Sequence, residues 1–216
     1  MNQPNKPKRG CLFWGGIVAS IMLLLICFGM FLGYKYAKHL IDEYTDATPM
    51  TLPTVNLSSD EIDRLRNRIA EFSRAVDEHR TAGPLVLTTD EVNALIMTSK
   101  EAEQIRGHVY VGLDGDQVKA QVSIPGEKFG FRPLRGRYLN GTGTLKVAFV
   151  DSELHVDVDA LTVKGKPLPD SFMQHIRVVN FAEQFNQDPN FKTAMDKLQD
   201  IQIKDSKLII TPKKKQ

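Results

Sequence analysis

From Cys11 to Gly33 the chain reads CLFWGGIVASIMLLLICFGMFLG, 23 residues without an ionisable side chain apart from two thiols. As a helix the run extends roughly 34 Å, enough to cross a hydrocarbon core of about 30 Å with some tilt. It predicts a single transmembrane span. The apolar run is longer than the centre of a secretory signal, and Tyr34-Lys35-Tyr36-Ala37 behind it offers no small-x-small cleavage pair, so the expectation is an uncleaved signal anchor.

Beyond the span the pattern becomes that of a folded domain. Pro49 and Pro53 interrupt the stretch 34–57, which reads as a stalk. Ser58-x-x-Glu61 is a capping-box pattern, and Ile62, Leu65, Ile69, Phe72 and Val76 follow at steps of three and four, the stripe of an amphipathic helix. Pro84 to Leu87 reads as a short extended entry to a second capping box, Thr88-x-x-Glu91, whose helix buries Val92, Leu95 and Ile96 and continues or restarts through Glu101 to Arg106.

From His108 the period falls to two. Val109, Val111 and Leu113 alternate with polar or small residues, Asp114-Gly115-Asp116 turns the chain, and Val118, Ala120, Val122 and Ile124 return. After an irregular stretch through Phe129, Phe131 and Pro133, a second hairpin runs through Leu145, Val147 and Phe149 to Leu154, Val156 and Val158. Leu161 and Val163 resume the apolar side one residue out of phase, which predicts a bulge near Asp159 or Ala160. Phe172, Met173, Ile176 and Val179 form the expected inner stripe of a later helix, Asp188-Pro189 caps another, and Ile201 and Ile203 face Leu208 and Ile210 in a closing hairpin. The expected fold is α+β, an antiparallel β-meander with helices packed on one face. It is divided into a basic tail (1–10), the anchor (11–33), the stalk (34–57), the domain (58–212) and a second basic tail (213–216).

Charge sets the orientation. Lys6, Lys8 and Arg9 precede the span with no acid, whereas Lys35 and Lys38 behind it are soon offset by Asp42, Glu43 and Asp46, so the amino terminus is expected in the cytoplasm and the domain outside. Of 28 basic and 26 acidic residues, five and three lie in residues 1–49, leaving 23 of each in the rest. That balance argues against a nucleic-acid partner, which calls for a basic excess on one element. Both cysteines, Cys11 and Cys27, lie in the span, so a packed core and not a disulfide holds the domain. Asn56-Leu57-Ser58 and Asn140-Gly141-Thr142 match the glycosylation acceptor pattern.

Catalytic and metal chemistry are not called for. There is no nucleophile elbow, Walker loop, dinucleotide fingerprint or HExxH, and the five histidines stand at no recognised ligand spacing. His155, Asp157 and Asp159 share a strand face, but that is the face a one-sided sheet turns to water. No cofactor, no metal and no enzyme activity are expected.

The order of an amino-terminal anchor, LTTDEVNALI, VYVGLDGDQVKAQVSIP and VDALTVKGKPLP with a helix behind it resembles the YpmS-like family of bacterial membrane-anchored proteins. The resemblance implies a single-pass protein of the bacterial cell membrane and carries no activity. The Gly165-Lys166-Pro167-Leu168-Pro169 turn is also similar to one in tubular envelope proteins that bind phospholipid, which implies a ligand and not a reaction.

Two readings follow for the domain. In one, the sheet curves and Val109, Val111, Val122, Leu145, Val147, Phe149, Val156 and Val158 line a groove for an acyl chain, with Phe129, Phe131, Arg132, Arg135 and Arg137 at its mouth or on a partner surface. In the other, the same eight residues form a filled core, and the domain is an envelope scaffold or assembly partner. The expected partners are therefore the membrane and a lipid ligand or an envelope protein.

Overall fold

The computed structural model describes residues 11–78, 80–100 and 102–214, with side chains in the first helix described only at Met22 and from Ile26 onward. The chain divides into two compact units, one ending at Tyr44 and one running from Thr45.

The first unit is helix α1 (Cys11–Tyr44). Phe28, Met30, Phe31 and Leu32 among its described side chains are exposed, whereas Leu40, Ile41 and Tyr44 near its end are half-buried. The expected span falls largely on residues whose side chains lie outside the described ones. Among the described residues no helix is long and apolar enough to cross a membrane. The helix does not stop at residue 33, and half of the stretch expected as a stalk continues it.

The second unit is α+β and built on two antiparallel sheets. A five-stranded meander runs β2 (Val109–Asp114), β3 (Gln117–Pro125), β4 (Tyr138–Val150), β5 (Glu153–Val163) and β6 (Lys166–Pro167). A three-stranded sheet joins β1 (Leu85–Leu87) to β8 (Lys207–Pro212) and β8 to β7 (Leu198–Lys204). The single meander expected from the pattern is thus two sheets. The entry Leu85-Val86-Leu87 is a strand because Leu85 pairs with Ile210 and Leu87 with Leu208 at the far end of the chain.

Helices α2 (Ser59–Asp77) and α3 (Thr89–Thr98) start at the two predicted capping boxes. Their stripes cover the three-stranded sheet, where Leu65, Leu85, Leu87 and Ala94 form a buried cluster with Ile62, Ile69, Phe72, Leu208 and Ile210 around it. At the first box the Ser58 N–H donates to Glu61 Oε2 at 2.8 Å, and hydrogen bonds from the Ser58 hydroxyl and N–H hold the Glu61 carboxyl below its usual 4.5. A carboxyl with a lowered folded pKa contributes stability above its unfolded pKa and loses it as pH falls through the folded value. An NMR titration is therefore expected to place the Glu61 midpoint below 4.5 and to raise it part of the way back in Ser58→Ala, which keeps the backbone N–H bond and whose melting temperature drops by roughly 2–4 °C. An unshifted midpoint in the parent protein would contradict the box.

Helices α4 (Asp170–Ile176), α5 (Glu183–Asn186) and α6 (Pro189–Met195) gather beside β5, with Asp188 capping α6 as expected. Of the stripe assigned to α4, Met173 is buried, while Phe172 and Val179 are exposed. Residues 102–108 form turns and do not extend α3.

Asparagines close the β2 edge of the meander and the stretch of β5 that the two-residue β6 leaves open. Asn93 of α3 meets Val111 of β2 as another strand would, accepting its N–H at 2.9 Å and donating to its carbonyl at 2.6 Å. On β5, Asn186 accepts from Leu154 N–H at 3.1 Å and donates to its carbonyl at 2.8 Å, and Asn180 accepts from Val156 N–H at 3.0 Å. An edge so occupied cannot add a foreign strand. The predicted bulge is present: Thr144 pairs with Ala160 and Leu145 with Val158, leaving Asp159 as the extra residue.

Candidate functional site

Strand register puts all eight groove candidates on one face of the meander. Val109 pairs with Val122, Leu145 with Val158 and Val147 with Val156, and Val111 and Phe149 fall in the same alternation. Val158 is buried and the other seven are half-buried. Gly141 and Gly143 open no trough on this face, because Leu161 Cδ1 lies over both, 3.6 Å and 3.4 Å from where a Cβ would stand.

The larger apolar cleft lies elsewhere. It has a volume of about 750 Å³ and, of the eight candidates, only Val109 lines it. Its floor is the opposite, supposedly solvated, face of the meander at one end, where His108, Tyr110, Ser123 and Tyr138 stand. Its sides are the carboxyl-terminal half of α3, at Ala94 and Met97, and an extended strap at residues 49–57. The sequence does not reveal this, because a stretch interrupted by Pro49 and Pro53 reads as a stalk outside the domain. At the far end of the same face the expectation of a polar surface is met, since Lys146 pairs with Asp159 at 2.6 Å. That hydrogen bond is the main cause holding the Asp159 carboxyl below its ordinary range. Asp159 is therefore the bulge residue and ion-paired, and among the described residues no group of three His, Cys, Asp or Glu side chains is placed to hold a metal.

One buried polar knot holds the strap. Asn140 Nδ2 donates to Asp46 Oδ2 and to the Thr48 carbonyl, both at 2.9 Å, while its Oδ1 accepts from Met50 N–H at 3.0 Å and from the Ser123 hydroxyl at 2.8 Å. All four positions of the amide are used. Asn140 is thus closed as a glycosylation acceptor; Asn56 is exposed. Asp46 and Tyr138 also exchange backbone hydrogen bonds at 2.7 and 2.8 Å, and Arg137 Nη2 donates to the Thr45 carbonyl at 3.0 Å.

The five residues read as a mouth divide accordingly. Arg137 is structural, half-buried and fastening the start of the strap, whereas Phe129, Phe131, Arg132 and Arg135 are exposed, Phe129 and Arg132 in two short 3-10 turns, Gly126–Phe129 and Arg132–Leu134, and Phe131 and Arg135 flanking the second. None of the five lines the cleft.

Within the cleft the polar groups are few. Asn93 and Ser123 are already bonded to the main chain and to Asn140. His108 turns Nδ1 to the Ser123 carbonyl at 3.0 Å. Burial, with the Asp90 charge second, raises the Tyr110 phenol above its ordinary range and keeps it a neutral donor. An apolar hollow with a few convergent polar atoms, of a size within the roughly 300–1,000 Å³ usual for small-ligand sites, can hold one apolar molecule by burial and orient it by hydrogen bonds. A second hollow of about 500 Å³ beside α2 and β1 is lined by Arg68 and Arg80, which pair with Glu91 and Glu78. Compared with known proteins, the chain matches no family model, and no curated protein or solved structure matches it significantly.

Proposed function

We propose that the protein is a single-pass bacterial membrane protein, amino terminus in the cytoplasm, whose extracytoplasmic domain is a binding module for a lipid or acyl chain, not an enzyme. The cleft carries this reading: about 750 Å³ walled by Met50, Leu52, Val55, Leu57, Ile62 and Met97, in a chain whose first helix exposes Ile26, Phe28, Met30, Phe31 and Leu32. Burying an acyl chain contributes about 0.8 kcal/mol per CH₂, so a cleft of this kind binds mainly by chain length. The resemblance to the YpmS-like family agrees with an anchored domain of this design.

The test is native mass spectrometry of the full chain purified from host membranes in detergent, followed by lipid extraction. The expected result is one lipid retained per chain. A chain that carries only detergent and takes up no added lipid would overturn the reading. A reporter fused after Gln216 that works only in the cytoplasm would reverse the orientation. One observation favours the scaffold alternative: Phe172, Val178, Val179, Phe181 and Phe185 are exposed in and between α4 and α5, Val178 to 82%. Apolar side chains left in water mark surfaces that other molecules cover.

A further inference from the structure

Among the residues that line the cleft there is no Lys, Arg, Asp or Glu. A phosphate or carboxylate head drawn into it would leave water without meeting a countercharge, a cost of several kcal/mol for an ion in general. The hydrogen-bonding atoms left over describe a different head. The Ser123 carbonyl can only accept, so His108 Nδ1 carries the hydrogen, and in that tautomer Nε2 is left as an acceptor. Among the described residues the Tyr110 and Tyr138 hydroxyls have no hydrogen-bond partner, and each can donate or accept. Tyr110 and His108 stand two residues apart at the start of β2. Tyr138 stands on the same face of β4, two strands over and offset along the strand by two residues from His108 and four from Tyr110, about 12 Å and about 17 Å away.

We infer that the cleft selects a long-chain ligand with an uncharged hydroxyl head, of the acylglycerol or long-chain alcohol class, and rejects anionic heads. The hydroxyl donates to His108 Nε2 and accepts from a tyrosine, uses that a carboxylate, sulfonate or phosphodiester oxygen cannot combine. The inference rests on the cleft being the ligand site, and the experiment separates the two.

Full-chain protein in phosphatidylcholine nanodiscs is photolabelled with a hexadecanol probe carrying a chain-terminal diazirine, and the labelled peptides are mapped. Competitors are unlabelled hexadecanol, its methyl ether and hexadecanesulfonate, whose head is always charged. Labelling is expected within 49–57 and 93–110, with hexadecanol competing about tenfold better than the sulfonate and roughly threefold or more better than the ether. His108→Phe is expected to bring ether and alcohol to parity while labelling persists, whereas Tyr110→Phe combined with Tyr138→Phe weakens both competitors and leaves the alcohol ahead. Equal competition by alcohol and sulfonate in the parent protein would overturn the head-group selection and leave the cleft as the lipid site. Absence of label from both segments would overturn the cleft itself.

Discussion

Gly126→Ala is expected to cost about 3 kcal/mol or more, large for a methyl group added outside a hydrophobic core. A Cβ at Gly126 would stand 1.9 Å from the Leu134 carbonyl oxygen and 2.7 Å from the Leu134 carbonyl carbon and Cβ. The nearest of these are backbone atoms, and no rotamer change relieves the overlap. The two ends of the loop are tied there: Gly126 N–H donates to the Arg137 carbonyl at 2.7 Å, Gly136 N–H to Glu127 Oε1 at 2.8 Å and Arg137 N–H to the Leu134 carbonyl at 3.1 Å. Forcing Leu134 away moves Arg137, and with it the guanidinium on Thr45. The variant should therefore show both a lower denaturation midpoint, followed by far-UV circular dichroism of the full chain, and faster amide exchange at Asp46 and Tyr138. A midpoint within about 0.5 kcal/mol of the parent's would refute the close approach of Gly126 and Leu134.

How much of this was legible in the sequence depends on how far the causes lie apart. Ser58 with Glu61, Thr88 with Glu91 and Asp188 with Pro189 announce helix starts because cap and capped amide are at most three residues apart. The bulge at Asp159 was readable because a phase break is written along a single strand. By contrast, Leu85 to Leu87 is too short to declare itself a strand, and its partner β8 lies more than 100 residues onward. The asparagines at the sheet edges look like any polar residue on a helix or in a turn; only the fold sets Asn93 against Val111 and Asn186 against Leu154. The cleft escapes the sequence for a related reason. Alternation correctly gathers Val109, Val111, Val122, Leu145, Val147, Phe149, Val156 and Val158 on one face, but it does not say what lies over either face. The strap crosses the polar one, and a segment with two prolines and no periodicity gives no sign of docking. A sequence signal for it exists in hindsight only at Asn140, a residue with two donors and two acceptors in the middle of a strand.

Asn140 carries the second large expected effect. Replacing it with Leu removes every partner the knot gives to the Thr48 carbonyl through the amide, leaves the Ser123 hydroxyl without its acceptor and halves the options of Met50 N–H, which also lies 3.1 Å from Ser123 Oγ. Ser123 and Asn140 are buried, so water does not readily replace what is lost. Unpaired buried groups cost about 1–3 kcal/mol each, which puts the substitution at about 3 kcal/mol overall. Asn140→Asp separates bonding from size: the shape is kept, two donors become acceptors, and a second carboxylate faces Asp46, whose Oδ2 is 2.9 Å from the present amide nitrogen. Both variants should release residues 45–50 to fast amide exchange while the α2 and α3 amides keep their protection, because Leu65, Leu85, Leu87 and Ala94 do not touch the knot. With one wall loosened, hexadecanol labelling of 49–57 is expected to fall severalfold in both variants, since a cleft with a mobile wall offers fewer ordered contacts. Protection of 45–50 in Asn140→Asp equal to that of the parent would show that the strap is held by its apolar residues alone and that the knot is incidental to the cleft.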